Sequence, residues 1–371
     1  MMKPRVLFVL PLPPPVHGAS MVSRQIKNSR LINDSFQCDF INSATSRSID
    51  EVNHFNVSKP FRHMGIGFHL LGRLLTRRYD LCYMAITCHG RSFLKDVPFV
   101  LLCTLFRKKI VFHQHNKGME NDVNKWPYRW LLPLCYRNTK VILLSWYLYD
   151  DISRIVPKAD VLVCPNGIPV PDTSGPAQIP VGKHSEPRLL FLSNLIESKG
   201  ILELLDALSI LKERGNSLRC DVVGGESKKI DAGVFAEEVE KRGLKQVVSY
   251  LGKKYGKEKE RCFDEADVFV LPTNDDCFPL VLLEAMAHHL PVVTTAEGGI
   301  RDIVENGVNG FICERRNPES LADCIEKLLD DSELRSDMGE KGFEKVKNSF
   351  TEQLFEKRMT ECLRETGYVL P

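Results

Sequence analysis

Residues Leu271 to Gly310 read LPTNDDCFPLVLLEAMAHHLPVVTTAEGGIRDIVENGVNG. An apolar strand ends at Leu271-Pro272, and a polar loop then carries Asp275 and Asp276. An apolar helix, Pro279 to His289, surrounds a single carboxylate, Glu284. A second strand, Pro291 to Thr295, runs into the glycine pair Gly298-Gly299 and a short helix closed by Asn306-Gly307. Strand, loop, helix, strand, glycine loop and helix in that order predict a nucleotide-binding α/β unit. The glycines let backbone N–H groups approach a phosphate, and the helix behind them adds the positive end of its dipole.

The neighbours of Glu284 are apolar on both sides, so its helix is expected to be buried nearly all round. A carboxylate in that setting is costly unless it is paired or hydrogen-bonded. It is either a salt-bridged core residue or the acceptor for two ribose hydroxyls. Asp276, eight residues earlier, is either the cap of that helix or an acid facing a substrate.

Working outward, the chain of 371 residues has room for two domains, and 43% hydrophobic with 26% charged residues is an ordinary globular composition. A net charge of +2 argues against general affinity for nucleic acid. The charge is uneven, however: from Lys59 to Lys140 fifteen Lys and Arg stand against four Asp and Glu. Such a basic sector is a solvated surface or an attraction for anionic lipid or a diphosphate-linked acceptor. The twelve cysteines occur singly, with no C-x-x-C, as reduced thiols of a cytosolic protein do. The N-terminal apolar run is short and enters Pro11-Leu-Pro-Pro-Pro15, which favours a first core strand over a signal peptide. No apolar stretch approaches the length of a membrane span.

Residues 5–10 form a compact apolar strand of the kind buried in a parallel sheet. In the proline-rich loop that follows, Gly18 offers backbone amides at the start of a helix near Ala19, a place for an anion. Strand-like runs occur at 36–41, 80–85, 109–113, 140–144 and 160–163, and helical runs near 93–106, 126–137 and 146–156. Residues 43–59 are polar and irregular, a loop. The strand from Ile110 ends in His113-Gln-His115-Asn116, where open α/β sheets hold their ligands, and both histidines alternate onto one face. Residues 169–187 carry five prolines and two glycines without periodicity, a linker. Strands at 188–192, 219–223, 246–251, 267–271 and 310–313 then alternate with helices at 201–214, 234–241, 257–266 and 318–329. A final helix, 351–364, places Leu354, Phe355, Met359, Cys362 and Leu363 on one stripe and should dock.

The run Asp276-Cys-Phe-Pro-Leu-Val-Leu-Leu-Glu284-Ala-Met-Ala resembles the E-G-F-G-L-x-x-x-E-A-M-A signature of the family-4 retaining glycosyltransferases, with Asp in place of the first Glu. Cys164-Pro-Asn166-Gly167-Ile168 is similar to that family's P-N-G-[VI] turn, and Val223-Gly224-Gly225 to its V-G-x-G turn. Ser193-Asn194-Leu-Ile-Glu-Ser-Lys199-Gly200 is similar to its G-R-L-x-x-x-K-G loop, with Asn194 where the family carries Arg.

The resemblance implies an α/β fold of GT-B type, two Rossmann-like domains facing a cleft. Residues 1–168 would form the acceptor-side domain, with the C-terminal helix (351–371) crossing back to it. Residues 188–350 would form the donor domain. It implies retaining transfer of a sugar from a nucleotide-sugar donor, UDP- or GDP-linked, to a glycan or lipid-linked acceptor. No metal and no cofactor are expected. The setting it suggests is bacterial surface polysaccharide biosynthesis in the cytoplasm, at the inner face of the membrane. Asp276 would face the sugar, His115 would lie close to it, and Lys199 would neutralise the diphosphate. Gly18, Asn194, Gly224, Phe278, Pro279, Leu280, Val281, Glu284, Gly298 and Gly299 would contact the donor. With Asn194 uncharged, Lys117 is the expected source of a second cation. A non-hydrolysing nucleotide-sugar epimerase and a non-catalytic nucleotide-sugar binder are the alternatives; a mere binder needs Glu284 but has little use for Asp276.

Overall fold

The computed structural model of the chain describes residues 3–45, 58–170 and 186–366. They fall into two α/β units. One takes in the chain up to Asn166 together with the C-terminal stretch from Glu352, and the other is Gly167–Thr351.

The first unit is built on six strands: β1 (Arg5–Leu10), β2 (Gln37–Asn42), β3 (Leu81–Met84), β4 (Ile110–His113), β5 (Lys140–Leu143) and β6 (Val161–Val163). They lie in the order β2-β1-β3-β4-β5-β6, every pair parallel. Val6 to Leu10 are buried without alternation, because helices cover both faces of a parallel sheet. The right-handed crossover rule puts helices Ser58–Thr76, Gly90–Leu105 and Tyr128–Tyr136 on one face, since all three connections advance in the same direction across the sheet. The β1–β2 connection runs the opposite way, so helices Gly18–Asn28 and Arg30–Ser35 lie on the other face. The C-terminal helix Glu352–Glu365 packs on Arg30–Ser35, burying Phe355, Met359 and Leu363 at helical spacing.

The second unit carries β7 (Arg188–Leu192), β8 (Arg219–Val223), β9 (Val248–Gly252), β10 (Val268–Leu271), β11 (Val292–Thr295) and β12 (Gly310–Cys313). Their order is β12-β11-β10-β7-β8-β9, again all parallel. This is the doubly wound arrangement, in which the chain reverses direction between β7 and β10 and opens a crevice at their carboxyl ends.

Some expectations need correction. Residues 146–156 are a short 3₁₀ turn, Trp146–Leu148, followed by turns, not a helix. Local bonds compete with helix there: Ser145 Oγ accepts from Tyr147 N, and Ser153 Oγ donates to Asp150 O. The helices missing from the sequence reading are the long Ser58–Thr76 and Ser332–Ser349 and the short Arg30–Ser35 and Met119–Asp122. Residues 46–57 of the expected loop and 171–185 of the expected linker lie outside the described residues. All twelve cysteines are free thiols. No helix among the described residues is long and apolar enough to cross a membrane.

Candidate functional site

The loops leaving β7 and β10 part at the reversal point of the second sheet, and two charged groups meet in that fork. Lys199 Nζ lies 2.6 Å from Asp276 Oδ2 and donates to Asp275 O at 2.8 Å. The loops are stitched together beneath them. Asn274 N donates to Ser198 O at 2.7 Å, and Asn274 Nδ2 donates to Glu203 Oε1 at 2.7 Å. Asp276 is not a helix cap: its Oδ1 accepts from Cys277 N, and the helix Leu280–Ala287 begins beyond Pro279 with no side chain capping it. The first-turn N–H groups of Leu280 and Val281 are therefore orphan donors beside the loop that carries Lys199 and Asp276. Phe278 turns its ring inward, edge-on to Phe350 at 5.7 Å, leaving its backbone to make any contact.

The glycines have structural reasons. Gly298 has φ +51°, and a Cβ there would sit 2.4 Å from Asp276 O. Gly299 N donates to Cys277 O at 2.7 Å. The pair thus backs the acid-bearing loop, a task the sequence reading had not given it. Gly224 has φ +155°, and a Cβ would fall 1.8 Å from Ser193 O. Its neighbour Gly225 donates its N–H to Asn194 Oδ1 at 3.0 Å, so the Asn194 carbonyl is spent on joining the β7 and β8 loops. Lys253, from the loop after β9, passes over this junction: a Cβ on Gly225 would meet Lys253 Cε at 2.5 Å. Sequence reasoning missed Lys253. Its only signal was a lysine pair directly after a strand, at Lys253-Lys254.

Glu284 corrects the picture of a helix buried all round. Leu282, Leu283, Ala285 and Met286 are buried, but Glu284 sits on a partly open side, and both its oxygens lie 2.6 Å from Lys259 Nζ on helix Lys257–Asp264.

In the first unit, Gly18 is the first residue of helix Gly18–Asn28, capped by His17, whose Nδ1 accepts from Ser20 N at 3.3 Å. His113 is fully buried on β4, where Tyr83 Oη and His113 Nδ1 share a hydrogen bond of 2.5 Å. His115, past the strand end, is half-buried, its ring 4.1 Å from that of His113. Nε2 of both is buried without a hydrogen-bond partner among the described residues. Burial, with the nearby His17, pushes His115 down to about 4, and burial beside His115 holds His113 well below the usual imidazole range. Lys117 begins a turn in which the N–H groups of Gly118, Met119 and Glu120 converge on the Asp151 carboxylate. Among the described residues no cluster of His, Cys, Asp and Glu is arranged to hold a metal ion.

Residues 178–345 match the family of glycosyl transferases group 1. The capsular polysaccharide biosynthesis glycosyltransferase CapM of Staphylococcus aureus is 30% identical over 44% of this chain and 42% of its own length, so the chain spans less than half of that relative. The solved structure of a sucrose-phosphate synthase from Thermosynechococcus elongatus superposes with a TM-score of 0.73 at 18% identity, over 98% of this chain and 99% of that one. Anabaena HepE, solved in complex with UDP, gives a TM-score of 0.74 at 18% identity, over 97% and 100%; the same protein has been solved with UDP-glucose. Two parallel six-stranded α/β units and these likenesses give the chain the GT-B fold, and its residues 178–345 match the glycosyl transferases group 1.

Proposed function

We propose that the protein is a retaining, metal-independent glycosyltransferase. It would move a sugar from a nucleotide-sugar donor, UDP- or GDP-linked, to a glycan or lipid-linked acceptor in bacterial surface polysaccharide biosynthesis. The observation that carries this reading is the Lys199–Asp276 pair at the reversal point of a doubly wound sheet, inside the segment that matches the glycosyl transferases. As the bond between sugar and diphosphate stretches, negative charge grows on the phosphate and positive charge on the ring. Lys199 and the uncapped amides of Leu280 and Val281 would stabilise the phosphate, and Asp276 the sugar hydroxyls and ring. Glu284 would exchange Lys259 for the ribose hydroxyls. His115, held neutral, would serve as a hydrogen-bonding group near the sugar and not as a cation. The second positive charge would come from Lys253, favoured over Lys117 because its stem already lies against the Asn194–Gly225 junction. The basic first unit would bring the enzyme to the cytoplasmic face of an anionic membrane as a peripheral protein.

The test is a thermal-shift panel of nucleotide sugars, followed by assay of the best binder against lipid-linked acceptors with and without EDTA. The anomeric configuration of the product is then read by NMR. Inversion, or turnover that requires a metal, would overturn the corresponding part. Product formed without an acceptor would mean an epimerase, and tight binding with no turnover a sensor.

A further inference from the structure

The three helices Ser58–Thr76, Gly90–Leu105 and Tyr128–Tyr136 form one layer on one face of the first sheet, the middle one packed against the other two. Each turns apolar side chains outward. Phe61, Phe68, Leu105, Trp126 and Trp130 are each 66–79% exposed. On the first helix, Phe61, Met64, Phe68 and Leu75 follow helical spacing and share one stripe, whereas Leu70 and Leu74 face the core. Trp126, Trp130 and Leu134 repeat every fourth residue at the third helix.

Cations frame these stripes. Arg78, Arg91, Arg107 and Arg129 are exposed, and Arg129 lies over the Trp130 ring at 5.2 Å. Of the four acids of the same stretch three are engaged with the backbone: Asp80 accepts from Arg5 N, Asp96 from Thr87 N and Asp122 from Gly90 N, while Glu120 is exposed. Exposed aromatic and aliphatic groups among many Lys and Arg, with only Asp80 and Glu120 as exposed acidic residues of the stretch, complement an anionic bilayer. A nucleic acid would use the cations but gain little from the leucines and methionine.

We infer that the outer face of this helix layer is the membrane-docking surface, with Phe61, Phe68, Trp126 and Trp130 entering the headgroup region of an anionic leaflet and the flanking arginines meeting lipid phosphates. The inference rests on the peripheral association proposed above and identifies where and how it occurs. Basic residues alone would give binding that salt reverses. Inserted aromatic side chains add an apolar contribution that salt does not screen, so part of the bound protein resists salt.

The experiment is co-sedimentation of the full chain with phosphatidylcholine vesicles, with and without phosphatidylglycerol, at low and high salt. Wild type is compared with Phe61→Ser/Phe68→Ser/Trp130→Ser and with Arg78→Gln/Arg91→Gln/Arg107→Gln. Unchanged circular dichroism and unchanged UDP or GDP binding confirm that the variants are folded. The arginine variant should bind phosphatidylglycerol vesicles roughly a hundredfold more weakly at low salt, from about 1 kcal/mol per charge. The aromatic variant should lose the salt-resistant fraction. Wild type that sediments with neither vesicle overturns peripheral association itself. Wild-type binding that both variants retain leaves association standing and overturns this face as its basis. A wild type that is oligomeric by light scattering while the aromatic variant is monomeric would make the face a protein interface and overturn the inference.

Discussion

Replacing Asp276 by Asn should tighten the binding of a bare nucleoside diphosphate while abolishing transfer. Lys199 is held by Asp276 at 2.6 Å, with side chains 23% and 18% exposed. A donor phosphate must therefore compete with that carboxylate for the ammonium. A partly buried, charge-assisted contact of this kind is worth about 1–2 kcal/mol, above the exposed ion pairs and below the fully desolvated ones. The Asn variant releases most of it and also removes a negative charge that would oppose the diphosphate, so both effects act in the same direction. Affinity should rise roughly fivefold to twentyfold. Lys199 keeps its bond to Asp275 O, which holds the ammonium in place. The assay is calorimetric titration with UDP and GDP at low salt, alongside turnover with the sugar-linked donor. Weaker or unchanged diphosphate affinity in a folded Asp276→Asn protein would refute the idea that Lys199 is handed from the acid to the phosphate.

Lys253→Ala should lower turnover at saturating donor by about tenfold to a hundredfold, with Asn194→Arg restoring part of it, whereas Lys117→Ala should turn over like the parent. Glu284→Gln should cost roughly 1–3 kcal/mol of nucleotide affinity by calorimetry; unchanged affinity would leave the Lys259 salt bridge as its whole role. Gly224→Ala should lose about 3 kcal/mol or more in urea unfolding, because φ +155° and a Cβ 1.8 Å from Ser193 O leave the side chain no room. His115, half-buried but with its Nε2 enclosed, is near 4 when folded and about 6.5 when unfolded, so over this range it takes up protons only on unfolding. Its contribution is complete above pH 6.5 and is lost as pH falls toward 4, so stability should drop by roughly 2 kcal/mol from about pH 7 to about pH 5, a slope that His115→Gln should flatten.

The strands were the most legible part of the sequence. β1, β7, β8 and β12 fall on the residues expected: β1 and β7 are apolar runs buried on both faces, and β8 and β12 are marked off by the turn residues Gly224 and Asn309-Gly310. Helices with unusual faces were not legible. Ser58–Thr76 exposes Phe61, Met64 and Phe68, so its apolar residues outnumber those on its inner side and blur the periodicity. Ser332–Ser349 packs on Leu280–Ala287 partly through Gly339 and Gly342, which no apolar pattern announces. At the site, residue types were readable but partners were not. Nothing near Glu284 in sequence points to Lys259, twenty-five residues away on another helix, or shows that Asn194 spends its carbonyl on Gly225. Such pairings depend on which strand ends become neighbours, and that is a property of the sheet order.

The second unit is inserted into the first. The chain leaves the first unit at Asn166 and returns to it only at Glu352, and the departing and returning segments are joined by an Ile168–Thr351 bridge, with Ile168 N donating to Phe350 O at 2.9 Å. On a ribosome, the first sheet therefore emerges early but waits for the rest of the protein to be made before Phe355, Met359 and Leu363 arrive to cover helix Arg30–Ser35. Until then that face of the nascent chain is uncovered. A stop codon near residue 350 would spare the second unit and leave the first permanently without its last helix, a chain prone to aggregation.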